Sequence, residues 1–336
     1  MKKTQTCYKL LELLRDGQFH SGETLGNALG ISRSAICKAA KQLHDYGIAI
    51  EPIHGRGYRI PYSIELLNQH TIEQQLDNTA KDRLDDLIIL HTTHSTNDYL
   101  LDLKNSQPNQ NIACFAEYQS NGKGRRGRQW LAPFGTNIYH SLLWHFKKDP
   151  AEIVGLSLAI ALAAVNALKR YGIVDDIAVK WPNDILWQGR KLGGVLLEMV
   201  AEHHGYCALV IGIGLNTHIA NKFAHCIDQP WVDIQHITQS QPRRNQLAGL
   251  LLNETIHTLI AFEQQGLQPF LDAWQPLDYM LGKMVTLYTA NGNINGVMNG
   301  ISDKGELVLL CENNQQKRFF NGELSVRLAK EKPAAC

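Results

Sequence analysis

The chain is short of several things at once. Its 336 residues hold seven cysteines, Cys7, Cys37, Cys114, Cys207, Cys226, Cys311 and Cys336, scattered, odd in number and never in a Cys-x-x-Cys pair. This pattern excludes a disulfide framework and suits reduced, structural thiols. None of the 14 histidines, the neighbours His203 and His204 included, has zinc-type spacing, so no zinc site is expected. Neither sign of charge is in excess: 33 Lys and Arg stand against 32 Asp and Glu, a formal net charge of +1. The longest apolar helix, expected at about Ile153 to Leu168, is broken by Ser157 and Asn166 and is short for a bilayer. No charged-then-apolar leader opens the chain. A soluble, cytoplasmic protein with no membrane partner is therefore expected. Gly-Lys-Ser and Gly-Lys-Thr do not occur, which excludes a Walker-type loop, and there is no internal repeat or low-complexity tract. With 44% hydrophobic residues, the length accommodates two or three ordinary cores.

What the chain has is a set of cations spaced by glycines. Gly122-Lys123-Gly124-Arg125-Arg126-Gly127-Arg128 is followed by Lys180-Trp181-Pro182-Asn183-Asp184 and by Gly189-Arg190-Lys191-Leu192-Gly193-Gly194. Glycines let a backbone approach a ligand and turn its N–H groups toward one charged oxygen, while lysines and arginines supply full charges. A carboxylate attacking a nucleotide phosphate needs such cations to offset anion repulsion. Gly122-x-Gly124-x-x-Gly127 also matches a dinucleotide fingerprint, but Pro133 and Gly135 interrupt where a helix is required and the region of Lys147 and Lys148 is basic. A solvated basic loop or a nucleic-acid contact is the plainer alternative. Against it, an Asp beside a Lys at a strand end can hold Mg²⁺ or a ribose while the Lys meets phosphate.

The first 62 residues read as a separate unit. Tyr8 to Leu14 is apolar on a helical period and stops at Gly17; Ser21 caps a second helix ending near Gly30, and Ser32 caps a third. In the third helix Ile36, Ala39, Ala40, Leu43 and Tyr46 form the buried stripe and Arg33, Ser34, Cys37, Lys38 and Lys41 face elsewhere. Ile48-Ala49-Ile50 and Tyr58-Arg59-Ile60 then flank His54-Gly55-Arg56-Gly57 as a hairpin with a basic tip. The pattern is a winged helix-turn-helix. Nine cations against five anions give it +4, a local excess suited to DNA phosphates. Ser32, Arg33, Ser34, Lys38 and Lys41 are its candidates for the major groove, and Arg56 for the backbone or minor groove. A winged helix used for protein contacts remains the alternative.

Pro61 to Asn68 reads as a link to the next unit. Strands are then expected at Leu87–His91, Ile112–Tyr118, Asn137–Trp144, Ile177–Trp181, Gly194–Val200 and Ala208–Gly214, with long helices at Ile153–Tyr171 and Asn245–Gln264. Strands following one another without a helix each time indicate a mixed or antiparallel sheet with helices on one face. From Gly282 short strands with Asn291-Gly292, Asn295-Gly296 and Lys304-Gly305 turns suggest a small SH3-like barrel. The expected organisation is α+β: 1–62 a winged helix-turn-helix, 63–281 the central domain, 282–330 the barrel.

Ser95-Thr96-Asn97, Glu117-Tyr118-Gln119, the Gly122–Arg128 loop, Lys180 to Asp184, Arg190 to Gly194 and Gly212-Ile213-Gly214-Leu215-Asn216 occur in the order and spacing of biotin-protein ligases. With the N-terminal unit, almost the whole chain resembles the bifunctional biotin ligase and biotin operon repressor family. The resemblance implies a central domain like the catalytic domain of class II aminoacyl-tRNA synthetases. It implies that biotin and MgATP give biotinyl-5′-adenylate, which acylates a lysine of the biotin carboxyl carrier protein of acetyl-CoA carboxylase. Lys191 would then contact the carboxylate and α-phosphate, Arg125 hold the adenylate, Lys123 and Gly124 close over it, and Lys180 serve as a second cation. Biotin's ureido end falls to Ser95, Thr96, Asn97 and Gln119, whose hydroxyls and amides donate and accept, with Gly212 close to the ring system. Helix capping is the other reading of Ser95. The nucleotide falls to Arg125, Arg126, Asn183, Asp184, Asn216 and a stacking Trp231, with Asp184 also the candidate for Mg²⁺. Lys123 stands where many relatives carry Arg, so a closed loop of different stability is expected. An adenylate-bound homodimer on operator DNA of the biotin biosynthesis genes is the implied regulatory form. Rival readings are a lipoate-protein ligase, a ligand-sensing transcription factor without catalysis, and a ligase whose winged helix only gates its site.

Overall fold

The computed structural model describes residues 3–62, 64–103, 109–203, 205–219, 225–289, 292–311, 315–320 and 324–329. Three helices open the chain: α1 (Lys3–Leu14), α2 (Gly22–Leu29) and α3 (Arg33–Asp45), and two short ones, α4 (Gln69–Glu73) and α5 (Asn78–Arg83), lead into the central sheet. The serines act as the sequence predicts, Ser21 accepting from the Thr24 N–H and Ser32 from the Ala35 N–H, and Gly30 ends α2 at φ 65°. Leu10, Leu11, Leu14, Leu25, Ile36, Leu43, Ile48 and Ile60 form the core of this unit.

The wing differs from expectation in its first strand. β1 is Glu51–Ile53 and pairs with β2, Gly57–Arg59, in the register Glu51↔Arg59. Ile48 is buried in the core rather than paired. An Arg59–Glu51 ion pair of 2.6 Å supports the shifted register. Gly57 has φ +102° and lies so near His20 that a Cβ there would meet the His20 carbonyl oxygen at 2.0 Å.

The central sheet has seven strands in the order β3-β4-β5-β9-β8-β7-β6. These are β3 (Asp86–Leu90), β4 (Ile112–Ala116), β5 (Ile138–Phe146), β6 (Ile177–Lys180), β7 (Asp184–Trp187), β8 (Arg190–His203) and β9 (Tyr206–Leu215). β3 and β4 are parallel and every other pair antiparallel, so the sheet is mixed. β7 has no counterpart in the sequence reading, where Pro182 marks only a turn; its four residues, Asp-Ile-Leu-Trp, are too few and do not alternate, so they do not stand out as a strand.

Helix α7 (Leu156–Tyr171) is preceded by a short 3₁₀ turn over Pro150–Ile153 and by Gly155 at φ 86°, which is why it starts later than its apolar run. It packs with α9 (Arg244–Gln265) over one face of the sheet, while α8 (Ile234–Thr238) is a single turn near the site. Helices do not keep to one face. α6 (Thr96–Leu103) sets Leu100 against Cys114, Leu143 and Val210 on the other, because β4 and β5 are apolar on both sides. Among the described residues, no helix is long and apolar enough to cross a membrane.

The link between the first two units is tied down. Glu117, on the segment after β4, accepts from the Leu67 N–H at 2.5 Å and pairs with Arg244 at 2.9 Å, both side chains buried. Arg244 also donates to the Glu65 and Asn137 carbonyls, and Asn245 holds Glu65 and Leu66. Tyr46 stacks near Tyr118, and Tyr8 on His91, across the same junction.

β10 (Met284–Thr289), β11 (Gly292–Ile301), β12 (Leu307–Leu310), β13 (Gln316–Phe319) and β14 (Ser325–Leu328) make a five-stranded antiparallel sheet, the SH3-like C-terminal unit. Lys304-Gly305 is a turn, but Asn295-Gly296 is not: both lie inside β11 (Gly292–Ile301). A Cβ on Gly296 would meet the Leu310 carbonyl at 2.8 Å, so the glycine answers to close strand approach. Asn291 falls outside the described residues, as do His204 and Cys336.

Candidate functional site

One cavity of about 780 Å³ gathers the motif residues of the central domain, a volume within the usual range for small-molecule sites. Ser95, Thr96, Asn97, Gln119, Lys123, Gly124, Arg125 and Arg126 line it, with Lys180, Asn183, Asp184, Lys191, Gly212, Asn216 and Trp231. Residues more than 100 apart in sequence meet there because the C-terminal ends of β3, β4 and β6 and the glycine-rich parts of β8 and β9 converge.

One wall is neutral and polar. Gln119 Oε1 accepts from the Thr96 N–H at 2.8 Å and from Thr96 Oγ1 at 3.1 Å, so Gln119 satisfies the first N–H of α6. Ser141 Oγ donates to Asn97 Oδ1 at 2.6 Å and meets Thr96 Oγ1 at the same distance. Asn97 Nδ2 donates to Glu198 at 2.6 Å. Ser95 is buried, and its carbonyl accepts from the Tyr99 N–H in the first turn of α6. The glycines here make room for side chains: a Cβ on Gly212 would meet Asn97 Oδ1 at 2.5 Å, and one on Gly214 would meet the Trp130 ring at 2.7 Å.

The other wall is cationic. Lys191 Nζ pairs with Asp184 at 2.6 Å and lies 5.4 Å from the centre of the Trp130 ring. Asn183 accepts from Arg125 at 3.3 Å and donates to the Val195 carbonyl at 2.6 Å, so it orients the guanidinium from a fixed backbone point. Burial pulls the pKa of Arg125 below its ordinary value against the opposing charge of Asp184, with Arg126 and Arg128 adding to the fall. Burial also lowers the pKa of Lys180; Asp184 opposes this, and Lys191, Arg327 and Arg128 reinforce it. Cations that depress one another around a single, already paired carboxylate form a site that an incoming polyanion completes.

The glycine-rich loop is a narrow hairpin. Trp130 N–H donates to the Gly122 carbonyl and Gly124 N–H to the Arg128 carbonyl, each at 2.7 Å. Arg126, at φ 60°, and Gly127, at φ 69°, turn the tip in the left-handed region. No helix follows it, as the sequence argument against a dinucleotide fold requires. Asn216 crosslinks backbone here, donating to the carbonyls of Lys191 and Val232, and Trp231 bridges Lys191 on the next segment.

Sequence reasoning missed three contributors. Ser141 comes from β5 and Glu198 from β8, each a polar residue set between apolar neighbours on at least one side, which is a signal in itself. Arg327 comes from β14 of the C-terminal unit and lines the same cavity, over 100 residues from the motifs. The candidate Mg²⁺ ligand Asp184 stands alone: among the described residues no cluster of three His, Cys, Asp or Glu could hold a metal. One carboxylate suits an ion that arrives on ATP phosphates, which carry most of its ligands.

The DNA-binding candidates lie on the third helix and the wing of the N-terminal unit, and none of them lines the cavity. Arg33, Ser34, Lys38 and Lys41 of α3 are exposed, and Ser32 caps the helix. Arg56, at the wing tip, sits 4.2 Å from the centre of the Phe19 ring, with Arg59 at 4.6 Å.

Comparison with known proteins now gives the class. Residues 89–216 match the Biotin/lipoate A/B protein ligase family, residues 8–59 an HTH domain, and residues 280–327 the Biotin protein ligase C terminal domain. The chain is 39% identical over 331 residues to the bifunctional ligase/repressor BirA of Escherichia coli, covering 98% of this chain and 100% of that protein. It is 29% identical to the Bacillus subtilis protein of the same description, covering 94% and 97%. The structure of biotin protein ligase from Aquifex aeolicus in complex with biotin and ATP superposes with a TM-score of 0.62 at 28% identity, covering 73% of this chain and 100% of that one. The chain belongs to the bifunctional biotin ligase/repressor family.

Proposed function

We propose that the chain is a biotin-protein ligase that joins biotin to AMP, passes it to a lysine of the biotin carboxyl carrier protein of acetyl-CoA carboxylase, and represses the biotin biosynthesis operon when adenylate-loaded. The observation that carries the ligase half is the pairing of two walls in one cavity: a hydrogen-bonding wall of hydroxyls and amides suited to a ureido group, and a cationic wall.

In the first step an oxygen of biotin's carboxylate attacks the α-phosphorus of MgATP, and the bond from that phosphorus to the β-phosphate bridging oxygen breaks, releasing pyrophosphate. Lys191, Arg125 and Lys180 lower the repulsion between the two anions and hold the charge that builds on the α-phosphate. Asn183 keeps Arg125 aimed; Arg126 and Trp231 are placed for the nucleotide, and Asn216 holds the segment carrying Trp231. Asp184, paired with Lys191 at rest, is free to meet Mg²⁺ or the ribose once phosphate takes over the lysine. Ser95, Thr96, Asn97 and Gln119 hold the ureido end, Gly212 keeps the floor open, and Lys123 and Gly124 belong to the closing loop. In the second step the carrier lysine amine attacks the acyl carbon and AMP leaves. Incubating the protein with biotin, MgATP and a carrier domain tests this: a 226 Da mass gain on one lysine is the expected product. Lipoate labelling in competition would instead select the lipoate reading.

The repressor half rests on α3 and the wing. β8 supports a dimer: β7 covers it only from Arg190 to Gly194, and beyond Leu196 no strand among the described residues pairs with its outer edge. Such an edge invites a second copy, and Met199 on it is 45% exposed. Fluorescence anisotropy of operator DNA and sedimentation, each with and without biotin plus MgATP, check both. Equal dimerisation in the two conditions refutes the link between adenylate and repression. The domains proposed to carry these roles are 1–62 for DNA, 63–281 for ligation and 282–330 for completing the nucleotide side, in the cytoplasm.

A further inference from the structure

Lys123 does not point at the cationic wall. Its ammonium pairs with Asp98 of α6 and, at 3.3 Å, with Glu198 of β8. Burial alone lowers its pKa, but the hydrogen bond to Asp98 and the charges of Glu198 and Asp98 outweigh that and raise it. Lys123 sits on the stem of the loop hairpin, where it bridges Gln129. Glu198 spends its second oxygen on Asn97 Nδ2, and Asn97 is fixed from the other side by Ser141.

We propose that Lys123, Asp98 and Glu198 form an electrostatic latch that holds the stem of the glycine-rich loop closed against α6 and β8, making the Lys123 ammonium a positioning group. Three elements far apart in sequence end at one ammonium, so the loop cannot lift without separating two ion pairs. Glu198 belongs to both the latch and the polar wall, so the loop and the ureido site move as one unit. A point charge with three donors serves two carboxylates from different directions, a task that a planar guanidinium meets less readily. The side chains are about one-third exposed, at 31%, 36% and 27%, so salt weakens the latch.

The closed stem can be measured without ligand; its use in retaining biotin rests on the ligase reading above. Limited trypsin digestion of the full chain, following cleavage after Arg125, Arg126 and Arg128 by mass spectrometry, reads loop opening. Asp98→Asn and Lys123→Gln are expected to cleave about fivefold faster than the wild type in low salt, a difference that shrinks in high salt. Lys123→Arg should recover most of the protection. In the ligase assay Asp98→Asn should speed adenylate dissociation with little change in the KM for biotin, whereas Glu198→Gln should raise both. Unchanged cleavage in Asp98→Asn and Lys123→Gln overturns the latch. Faster cleavage in both, in a protein that makes no adenylate, upholds the latch and discards the ligase reading.

Discussion

In the cavity, Lys180, Lys191 and Arg125 lie partly buried around the single carboxylate of Asp184, whereas on α3 and the wing Arg33, Lys38, Lys41 and Arg56 stand in water with no shared enclosure. Both regions attract phosphate, yet they do so under different conditions. Enclosed cations give up hydration, so they are selective for an anion that fits the space and repays that loss. Exposed cations keep their water and bind any backbone phosphate by releasing counterions, so sequence must be read by other contacts. The first arrangement suits chemistry on one nucleotide, the second a long polyanion.

The comparison can be sharpened with a third cation, Arg244, which is buried and held by Glu117 and two carbonyls through its two terminal nitrogens. Arg244→Met leaves Glu117 buried without its charge partner and should cost about 3–5 kcal/mol of unfolding free energy in a urea titration. A smaller loss would show that water reaches the junction. Next in size, Lys191→Ala should slow adenylate formation by about 100-fold or more, as for removal of one transition-state donor. It should leave the salt slope of DNA binding alone. Full turnover in this variant would move the chemistry elsewhere.

Lys180 gives a pH test whose sign follows from its lowered pKa. The unfolded chain keeps this proton to higher pH than the folded protein does, so stability rises with pH between the lowered folded value and the ordinary lysine value of about 10.4. Bound triphosphate favours the charged form, so ATP affinity should fall as pH rises through the lowered value, and Lys180→Arg should flatten that fall. A pH-independent ATP KM in the wild type would show that Lys180 does not meet the phosphates. The smallest effect is expected at the surface: Arg56→Ala should weaken operator binding by about 1 kcal/mol and reduce the salt slope by about one. An unchanged slope would place the wing off the DNA.

Much of this was legible because the signals are local. Ser21 and Ser32 announce their helices, and the apolar period of α3 assigns Ile36, Ala39, Ala40 and Leu43 to the interior. The candidate ligand residues sit in short motifs, and the structure brings all of those in the central domain to one cavity. The wing register was not legible, since Ile48 to Ile50 is as strand-like as Glu51 to Ile53 and only packing against the core separates them. Asn295-Gly296 reads as a turn because the dipeptide favours one, and β12 overrides it.

By itself the sequence determined the helix caps, the faces of the helices, the three-part organisation and the glycine-cation motifs that place the chain in its family, all of which depend on neighbours within a few residues. Only the tertiary structure decided that Asp184 spends its charge on Lys191, that Lys123 answers to Asp98 and Glu198, and that Arg327 reaches the cavity from β14. Those pairings depend on strand order and register, which the packing of distant segments sets and no local pattern encodes.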